Sequence, residues 1–212
     1  MYLFSRTARV GPATGVPWAV EITELVRRRT GQDLRLWSTA YSSGVGTMTW
    51  TGWFEDLVHL EVFSNKIGDM MQTDEAYMAL LEQGSALIEG SVDDSLMQLL
   101  TDRPDPEREV TYASAVGAVC AAGHARRGLM IGMQIAEHAE RTSGTPTMFL
   151  RSVTGSYGGV GWITAFEDIE QMEQGEAKLA ADDSWIDLID SAEGAFVEDV
   201  KATSQTIYRR IG

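Results

Sequence analysis

The hydrophobic positions of the first half of the chain follow two periods, and their order predicts four strands and several helices in a βαββαβ arrangement. Apolar residues alternate with polar ones in the segments predicted as strands, at residues 2–10, 34–42, 45–54 and 91–100. Ile22, Leu25 and Val26 have the three- and four-residue spacing of one helix face, which predicts a helix over residues 17–30. Glu55-Asp56 precedes a second apolar helical stripe, whose first N–H groups these carboxylates can cap, and a shorter helix carries Tyr77.

The second half of the chain repeats this succession. The pattern predicts a helix over residues 126–142 and strands at residues 109–117, 147–154, 158–166 and 200–209. Short glycine- and serine-containing segments, Ser43-Gly44 and Gly155-Ser156, separate the two middle strands of each half and predict hairpins. Each half therefore has the ferredoxin-like order, with its second helix split in two.

The two halves also share residues at constant spacing. Three pairs lie 112 residues apart: Arg29 with Arg141, Trp50 with Trp162, and Phe54 with Phe166. The spacing then falls to 108 residues, where Asp74-Glu75-Ala76-Tyr77 matches Asp182-Asp183-Ser184-Trp185. A four-residue difference is about one helical turn and leaves the apolar face of a helix in place. The sequence therefore predicts an internal duplication.

Two prolines among charged residues predict the boundary between the copies. Asp102-Arg103-Pro104-Asp105-Pro106-Glu107 cannot continue a strand ladder or a helix, because proline lacks the backbone N–H. We therefore predict a first repeat at residues 1–102, a linker at 103–108 and a second repeat at 109–212.

Apolar residues on both faces of the predicted strands indicate that the sheets are covered on both sides. Met48, Trp50 and Phe54 alternate on one strand, and both alternating sets of the neighbouring strand at residues 36–41 contain apolar groups. Helices cover one face of each four-stranded sheet, and the open face of one copy can cover that of the other. The predicted fold class is α+β, with tandem ferredoxin-like βαββαβ repeats forming an intrachain pseudo-dimeric α/β barrel.

With these features the chain resembles the dimeric α/β-barrel superfamily, with two subunits fused in tandem. The resemblance rests on Trp53-Phe54-Glu55-Asp56 and Ala165-Phe166-Glu167-Asp168, on the helix after each, and on the Asp-x-x-[Tyr/Trp] helix that follows. The superfamily includes antibiotic-biosynthesis monooxygenases, polyketide cyclases, haem-degrading enzymes and NIPSNAP-like proteins. The resemblance implies a ligand pocket between each sheet and its own helices, often used without a cofactor.

Composition and charge limit the classes of partner and metal site that the chain can have. The net charge is −14, from 31 acidic and 17 basic residues, and a surface this negative repels nucleic acid and anionic membranes. Cys120 is the single cysteine, so no internal disulfide and no cysteine-based metal site can form. The amino terminus lacks a signal-peptide pattern, and a cytoplasmic location is predicted.

His138 and Arg151 are the candidate catalytic residues, because each stands where the other copy needs no such group. Counted at 112 residues, His138 falls on Val26 and Arg151 falls on Thr39. A buried imidazole can act as acid or base, and an inward guanidinium needs an anionic or enolate partner. The alternatives are a structural histidine and an internal salt bridge.

Substrate contacts are predicted from aromatic residues and one further arginine. Trp50, Trp162 and Tyr41 can form the wall of an aromatic-substrate pocket, or they can be shared barrel core, and Arg35 can project inward or into water. The histidines have no metal-ligand spacing, so no metal site is expected.

Two main functions stay open from sequence. The first is cofactor-independent binding or conversion of a hydrophobic, aromatic or polyketide-like small molecule by a monomeric pseudo-dimer or a homodimer. The second is a non-catalytic ligand-sensing or assembly protein. A third reading, haem binding, rests on His59 and Asn65 in the second helix, whose spacing does not match the expected arrangement.

Overall fold

The structure, a computed structural model, describes residues 1–41, 46–102, 105, 107–199 and 202–212. Predicted features that fall on Ser43-Gly44, on half of the linker at 103–108, and on the start of the last strand lie outside the described residues. The chain divides into two compact units. We call Met1–Leu96 with Arg209–Gly212 the N-terminal unit, and Met97–Tyr208 the C-terminal unit.

The described residues form eight strands and six helices, which confirms a mixed α/β fold. The first half contains strands β1 (Tyr2–Val10), β2 (Leu34–Ala40), β3 (Thr47–Phe54) and β4 (Ile88–Leu99), and helices α1 (Pro12–Thr30), α2 (Leu57–Thr73) and α3 (Glu75–Leu87). The second half contains strands β5 (Tyr112–Val119), β6 (Thr147–Ser152), β7 (Gly159–Phe166) and β8 (Ser204–Ile211), and helices α4 (Ala125–Ser143), α5 (Ile169–Ala180) and α6 (Asp183–Asp190).

The strands form a closed barrel in the order β1-β3-β2-β8-β5-β7-β6-β4. In the N-terminal unit β3 pairs antiparallel with both β1 and β2, and Trp50 lies opposite Arg6 on one side and Leu36 on the other. In the C-terminal unit β7 pairs in the same way with β5 and β6, and Trp162 lies opposite Val116 and Phe149. The central strand of each three-stranded group thus carries a tryptophan that faces a residue of both neighbouring strands.

Helix starts follow the predicted capping pattern. The Asp56 carboxylate accepts a hydrogen bond from the His59 N–H at 2.7 Å, and Asp168 accepts from Gln171 at 2.7 Å. Asp74 and Asp182 cap the next helix of each half in the same way. These carboxylates satisfy N–H groups that have no acceptor within the helix, as predicted for Asp56 and Asp168.

The first helix begins earlier than predicted. Helix α1 starts at Pro12, after Gly11, and Pro17 lies inside it. Proline is favoured at the first helical position, where its missing N–H costs nothing, and the sequence contains two candidates. The prediction used the second proline and therefore missed about one helical turn.

At the end of the first helix of each half, equivalent residues lie 113 positions apart, rather than the 112 of the sequence comparison. Gly31 and Gly144 both end a helix in the left-handed conformation, and they are 113 residues apart. The Lys66 ammonium donates to the Thr30 carbonyl at 2.8 Å, and Lys178 donates to the Ser143 carbonyl at 3.3 Å. The two accepting residues are again 113 apart, whereas the two lysines are 112 apart. The counterpart of His138 is therefore Leu25 rather than Val26, and that of Arg151 is Ser38 rather than Thr39. The loop between the middle strands absorbs the difference.

Candidate functional site

An apolar cavity of about 450 Å³ lies within the N-terminal unit, between its strands and its three helices. Ala8 and Trp50 form part of its floor on β1 and β3. Residues of α1, α2 and α3 form the opposite walls, and five aromatic side chains line it: Phe4, Trp18, Trp50, Phe63 and Tyr77. A cavity of this size and lining is typical of a site for a small hydrophobic molecule.

Most polar atoms in the cavity wall are already hydrogen bonded within the protein. The Trp50 indole donates to the Thr23 hydroxyl at 2.8 Å, and that hydroxyl donates to the Ala19 carbonyl at 2.6 Å. The Trp18 indole donates to the Leu80 carbonyl at 2.7 Å, and the Ser64 hydroxyl donates to the Leu60 carbonyl at 2.9 Å. These groups therefore present a largely apolar surface to the interior of the cavity.

Arg6 and Tyr77 are the two titratable residues among those that line the cavity. Arg6 donates to both oxygens of Asp94, at 2.8 and 2.7 Å, and this hydrogen-bonded pair keeps the pKa of the guanidinium above its usual value. Burial raises the pKa of Tyr77, and the nearby Arg6 charge opposes that rise. The tyrosine therefore stays protonated, and available as a donor, at neutral pH.

In the corresponding region of the C-terminal unit, aromatic side chains pack against one another. Phe149 is fully buried, and its ring lies 5.2 Å from that of Trp162, which also packs on Phe196 at 5.6 Å. The Trp162 indole donates to the Gly132 carbonyl at 2.8 Å. Where the N-terminal unit has Leu36 opposite its tryptophan, the C-terminal unit has the larger Phe149.

His138 is buried in a polar network rather than beside the cavity. Its Nε2 lies 2.8 Å from Asp182, and its Nδ1 lies 2.9 Å from the guanidinium of Arg141. Because a guanidinium can only donate, Nδ1 accepts and Nε2 donates. The Thr142 hydroxyl donates to the same Asp182 oxygen at 3.0 Å, so this network ties α4 to the start of α6.

We expect Asp182→Asn to destabilise the protein at neutral pH, and to a smaller extent in acid. The Ser184 hydroxyl and then His138 hold the pKa of Asp182 well below its usual value. A lowered folded-state pKa stabilises the protein above the unfolded value of about 3.9, and that stability is lost as the pH falls through the folded-state pKa. Asparagine keeps a capping oxygen but has no charge.

The measurement is the Tm of wild type and Asp182→Asn between pH 7 and about pH 3. We expect the difference in Tm to narrow towards the acid end, whereas Glu176→Gln, an exposed position on α5, should match wild type throughout. A difference that stays constant down to the lowest pH would contradict a role for the Asp182 charge.

The other predicted site residues lie apart from one another. Arg151 is exposed on β6 and donates to Gln98 at 2.8 Å. Tyr41 is 78% exposed with a positive φ of 55°, at the start of the turn after β2. Arg35 lies 3.5 Å from Asp33, Trp162 is in the filled core, and Trp50 lines the cavity.

Sequence analysis did not single out Trp18, Thr23 or Tyr77 as site residues. The sequence places Tyr77 on a short helix, and the Asp-x-x-[Tyr/Trp] pattern gives no direction for its hydroxyl. Among the described residues, no group of three or more His, Cys, Asp or Glu side chains could hold a metal ion.

Comparisons with known proteins identify the fold. No family model matches the sequence, and no curated protein matches it. A protein from Fusobacterium nucleatum subsp. nucleatum, provisionally described as a monooxygenase, is similar in structure with a TM-score of 0.69 and 12% identity, over 100% of this chain and 92% of that chain. An anthrone oxidase-like protein has a TM-score of 0.69 and 10% identity, over 100% of this chain and 91% of that chain.

A third structure, provisionally described as a chlorite dismutase, has a TM-score of 0.58 and 8% identity, over 100% of this chain and 95% of that chain. These proteins have the fold of the dimeric α/β-barrel superfamily. At such low identity the likeness establishes the fold alone, and it confirms the predicted resemblance at that level.

Proposed function

We propose that this protein binds, and without a bound cofactor converts, a hydrophobic aromatic molecule in the cavity of its N-terminal unit. The observation that carries the proposal is the cavity of about 450 Å³ between sheet and helices, which is partly open to solvent and is lined by five aromatic rings. Its indoles and its threonine and serine hydroxyls are bonded within the protein, so a purely polar ligand would find few partners there. The oxidase-like and monooxygenase-like descriptions of the structural neighbours favour a ligand of this kind.

Fluorene, a rigid aromatic hydrocarbon, is a suitable first probe. Equilibrium dialysis of the purified protein against fluorene should show saturable binding of one molecule per chain, because the equivalent region of the C-terminal unit is filled by Phe149 and Trp162. Absence of saturable binding would contradict the proposal. Binding of two equivalent molecules would contradict the assignment to one unit.

Conversion without a cofactor is the part of the proposal that needs a separate test. Each bound aromatic compound is incubated with the protein in air and in buffer containing a chelator, and loss of the compound is followed by chromatography. Turnover that survives the chelator and needs no added cofactor would support the proposal. Turnover that requires an added metal ion, flavin or haem would contradict it.

Binding without turnover is the second candidate, and the composition of the cavity wall favours it. Among its described lining residues there is no histidine, carboxylate or lysine that could act as a general base. A ligand sensor needs only the cavity. Haem binding is less well supported, since the lining residues contain neither histidine nor cysteine as a strong axial ligand.

His138 and Arg151 stay predictions as catalytic residues. They belong to the C-terminal unit, and neither lines the cavity proposed here. Loss of turnover in His138→Ala and Arg151→Ala, at unchanged Tm and unchanged fluorene binding, would place a reaction centre in that unit. Tyr41, Arg35 and Trp162 likewise stay predictions as substrate contacts, and none of them lines the cavity.

We further propose that the two halves are tandem ferredoxin-like repeats of one ancestor. Matched contacts support this: in each half an aspartate caps the helix after the third strand, and a lysine of that helix binds the carboxyl end of the first helix. A glycine on the first helix packs against the last residues of the first strand in both, as Gly15 on Val10 and Gly128 on Cys120. A monomeric pseudo-dimer or homodimer, and the 1–102 and 109–212 boundaries, stay predictions.

No helix in the described part of the chain is long and apolar enough to cross a bilayer.

A further inference from the structure

The cavity has one polar feature that its own structure leaves unused. Tyr77 is 4% exposed and lines the cavity, yet no residue of the described chain accepts a hydrogen bond from its hydroxyl. The indoles of Trp18 and Trp50, by contrast, each have an acceptor in the protein. The Tyr77 oxygen is not completely shielded, so a molecule in the cavity can reach it, and an oxygen on that molecule can accept its hydrogen bond.

Arg6 also lines the cavity, from β1, and it determines what charge the acceptor can carry. The guanidinium is close enough to Tyr77 to influence its ionisation, but its own charge is held by the bidentate pair with Asp94. An anionic ligand would gain little from a cation that is already neutralised, and it would lose its hydration in the apolar cavity. The acceptor that fits is an uncharged oxygen.

We propose that the Tyr77 hydroxyl donates a hydrogen bond to a carbonyl oxygen on the bound molecule. The cavity would then select neutral aromatic ketones over hydrocarbons of the same shape and over carboxylates. This inference rests on the proposed function, because it assigns the chemical class of ligand to the same cavity. Tyr77 is a ligand-binding residue in this account, and it needs no change of protonation state to act.

Three related probes separate the contribution of a carbonyl acceptor from that of a negative charge. Fluorenone carries a ring carbonyl, fluorene has none, and fluorene carboxylate adds a negative charge. Equilibrium dialysis of the full chain should give fluorenone the highest affinity. In Tyr77→Phe the affinity for fluorenone should fall about five- to tenfold, to that of fluorene. Fluorene affinity should not change, which also shows that the variant keeps its cavity.

Asp94→Asn frees the Arg6 guanidinium and therefore tests whether the Arg6–Asp94 pair excludes anionic ligands. Affinity for fluorene carboxylate should rise in this variant, while affinity for fluorenone stays the same, because Asp94 itself does not line the cavity. No change in carboxylate affinity would overturn the assignment of Asp94 as the group that excludes anions.

The failure of this inference is distinguishable from failure of the proposed function. If fluorene binds saturably but fluorenone binds no better, or if Tyr77→Phe weakens both probes equally, the cavity is a ligand site and the Tyr77 assignment is wrong. If none of the three probes binds, the cavity itself is not a site for aromatic ligands.

Discussion

Ala8→Phe is expected to abolish binding of aromatic ligands while the protein stays folded. Ala8 lines the floor of the cavity on β1 and is itself buried, so a phenyl ring at this position must extend into the space that a ligand would occupy. The ring replaces the ligand rather than displacing packed atoms, so its apolar burial offsets most of the strain. Binding of fluorene should fall below detection, and Tm should change by no more than about 3 °C.

The matched control is Ala118→Phe in the C-terminal unit. Ala118 lies on β5 opposite Val160, as Ala8 lies on β1 opposite Met48, and it is buried in a packed core cluster with Phe149 and Trp162. Because these aromatic rings already pack in the cluster, overpacking should cost about 1–3 kcal/mol. Ligand binding in the N-terminal unit should be retained. Similar losses of stability in both variants would contradict the difference in packing between the units.

Gly132→Ala is expected to lower the stability of the protein, although alanine favours helices over glycine. A Cβ at position 132 would lie 2.2 Å from Cζ and 2.5 Å from Cε2 of Phe149, whose ring is fully buried. Because both the helix and the ring are held by their surroundings, we expect a loss of about 1–3 kcal/mol. Chemical denaturation with urea measures the free energy of unfolding directly.

Combining Gly132→Ala with Phe149→Leu should relieve the clash. Phe149→Leu by itself loses ring contacts and should destabilise the protein, but in Gly132→Ala/Phe149→Leu the smaller side chain leaves room for the new methyl group. The free energy of unfolding of the double variant should exceed the value expected from the sum of the single effects by about 1 kcal/mol or more. Additive effects would contradict a direct contact between positions 132 and 149.

Gly68→Ala is the matched helix control. Gly68 lies in α2, and a Cβ there would meet nothing within 4 Å. Since only backbone entropy and helix propensity change, the substitution should stabilise the protein by about 0.5–1 kcal/mol. A destabilised Gly68→Ala would mean that glycine-to-alanine changes in this protein cannot be interpreted through contacts with Phe149.

The element pattern was predictable because it depends on neighbours along the chain. Strand β1 was predicted at its observed residues, and Asp56 and Asp168 were expected to cap helices, since these signals depend on alternation and on a few adjacent side chains. The start of α1 was missed because two prolines satisfy the same local rule. A local rule cannot choose between two positions that both meet it.

The site was less predictable, because it depends on differences in volume between residues far apart in the chain. His138 and Arg151 were chosen as polar groups that one copy has and the other lacks, but their contacts are with Asp182, Arg141 and Gln98. Trp50 and Trp162 recur at equivalent positions, yet one lines a cavity and the other packs in a filled core. Their sequence contexts do not show this difference.

The sequence by itself determined the order of strands and helices, the helix caps, the pairing of features between halves and the strongly acidic surface. These follow from residue type and from spacing over a few positions. The tertiary structure alone decided that Phe149 packs on Trp162 in one unit, that a cavity remains beside Trp50 in the other, and that the Tyr77 hydroxyl lacks an acceptor in the described chain. Whether a void remains depends on the summed volumes of side chains from several elements, which no local pattern records.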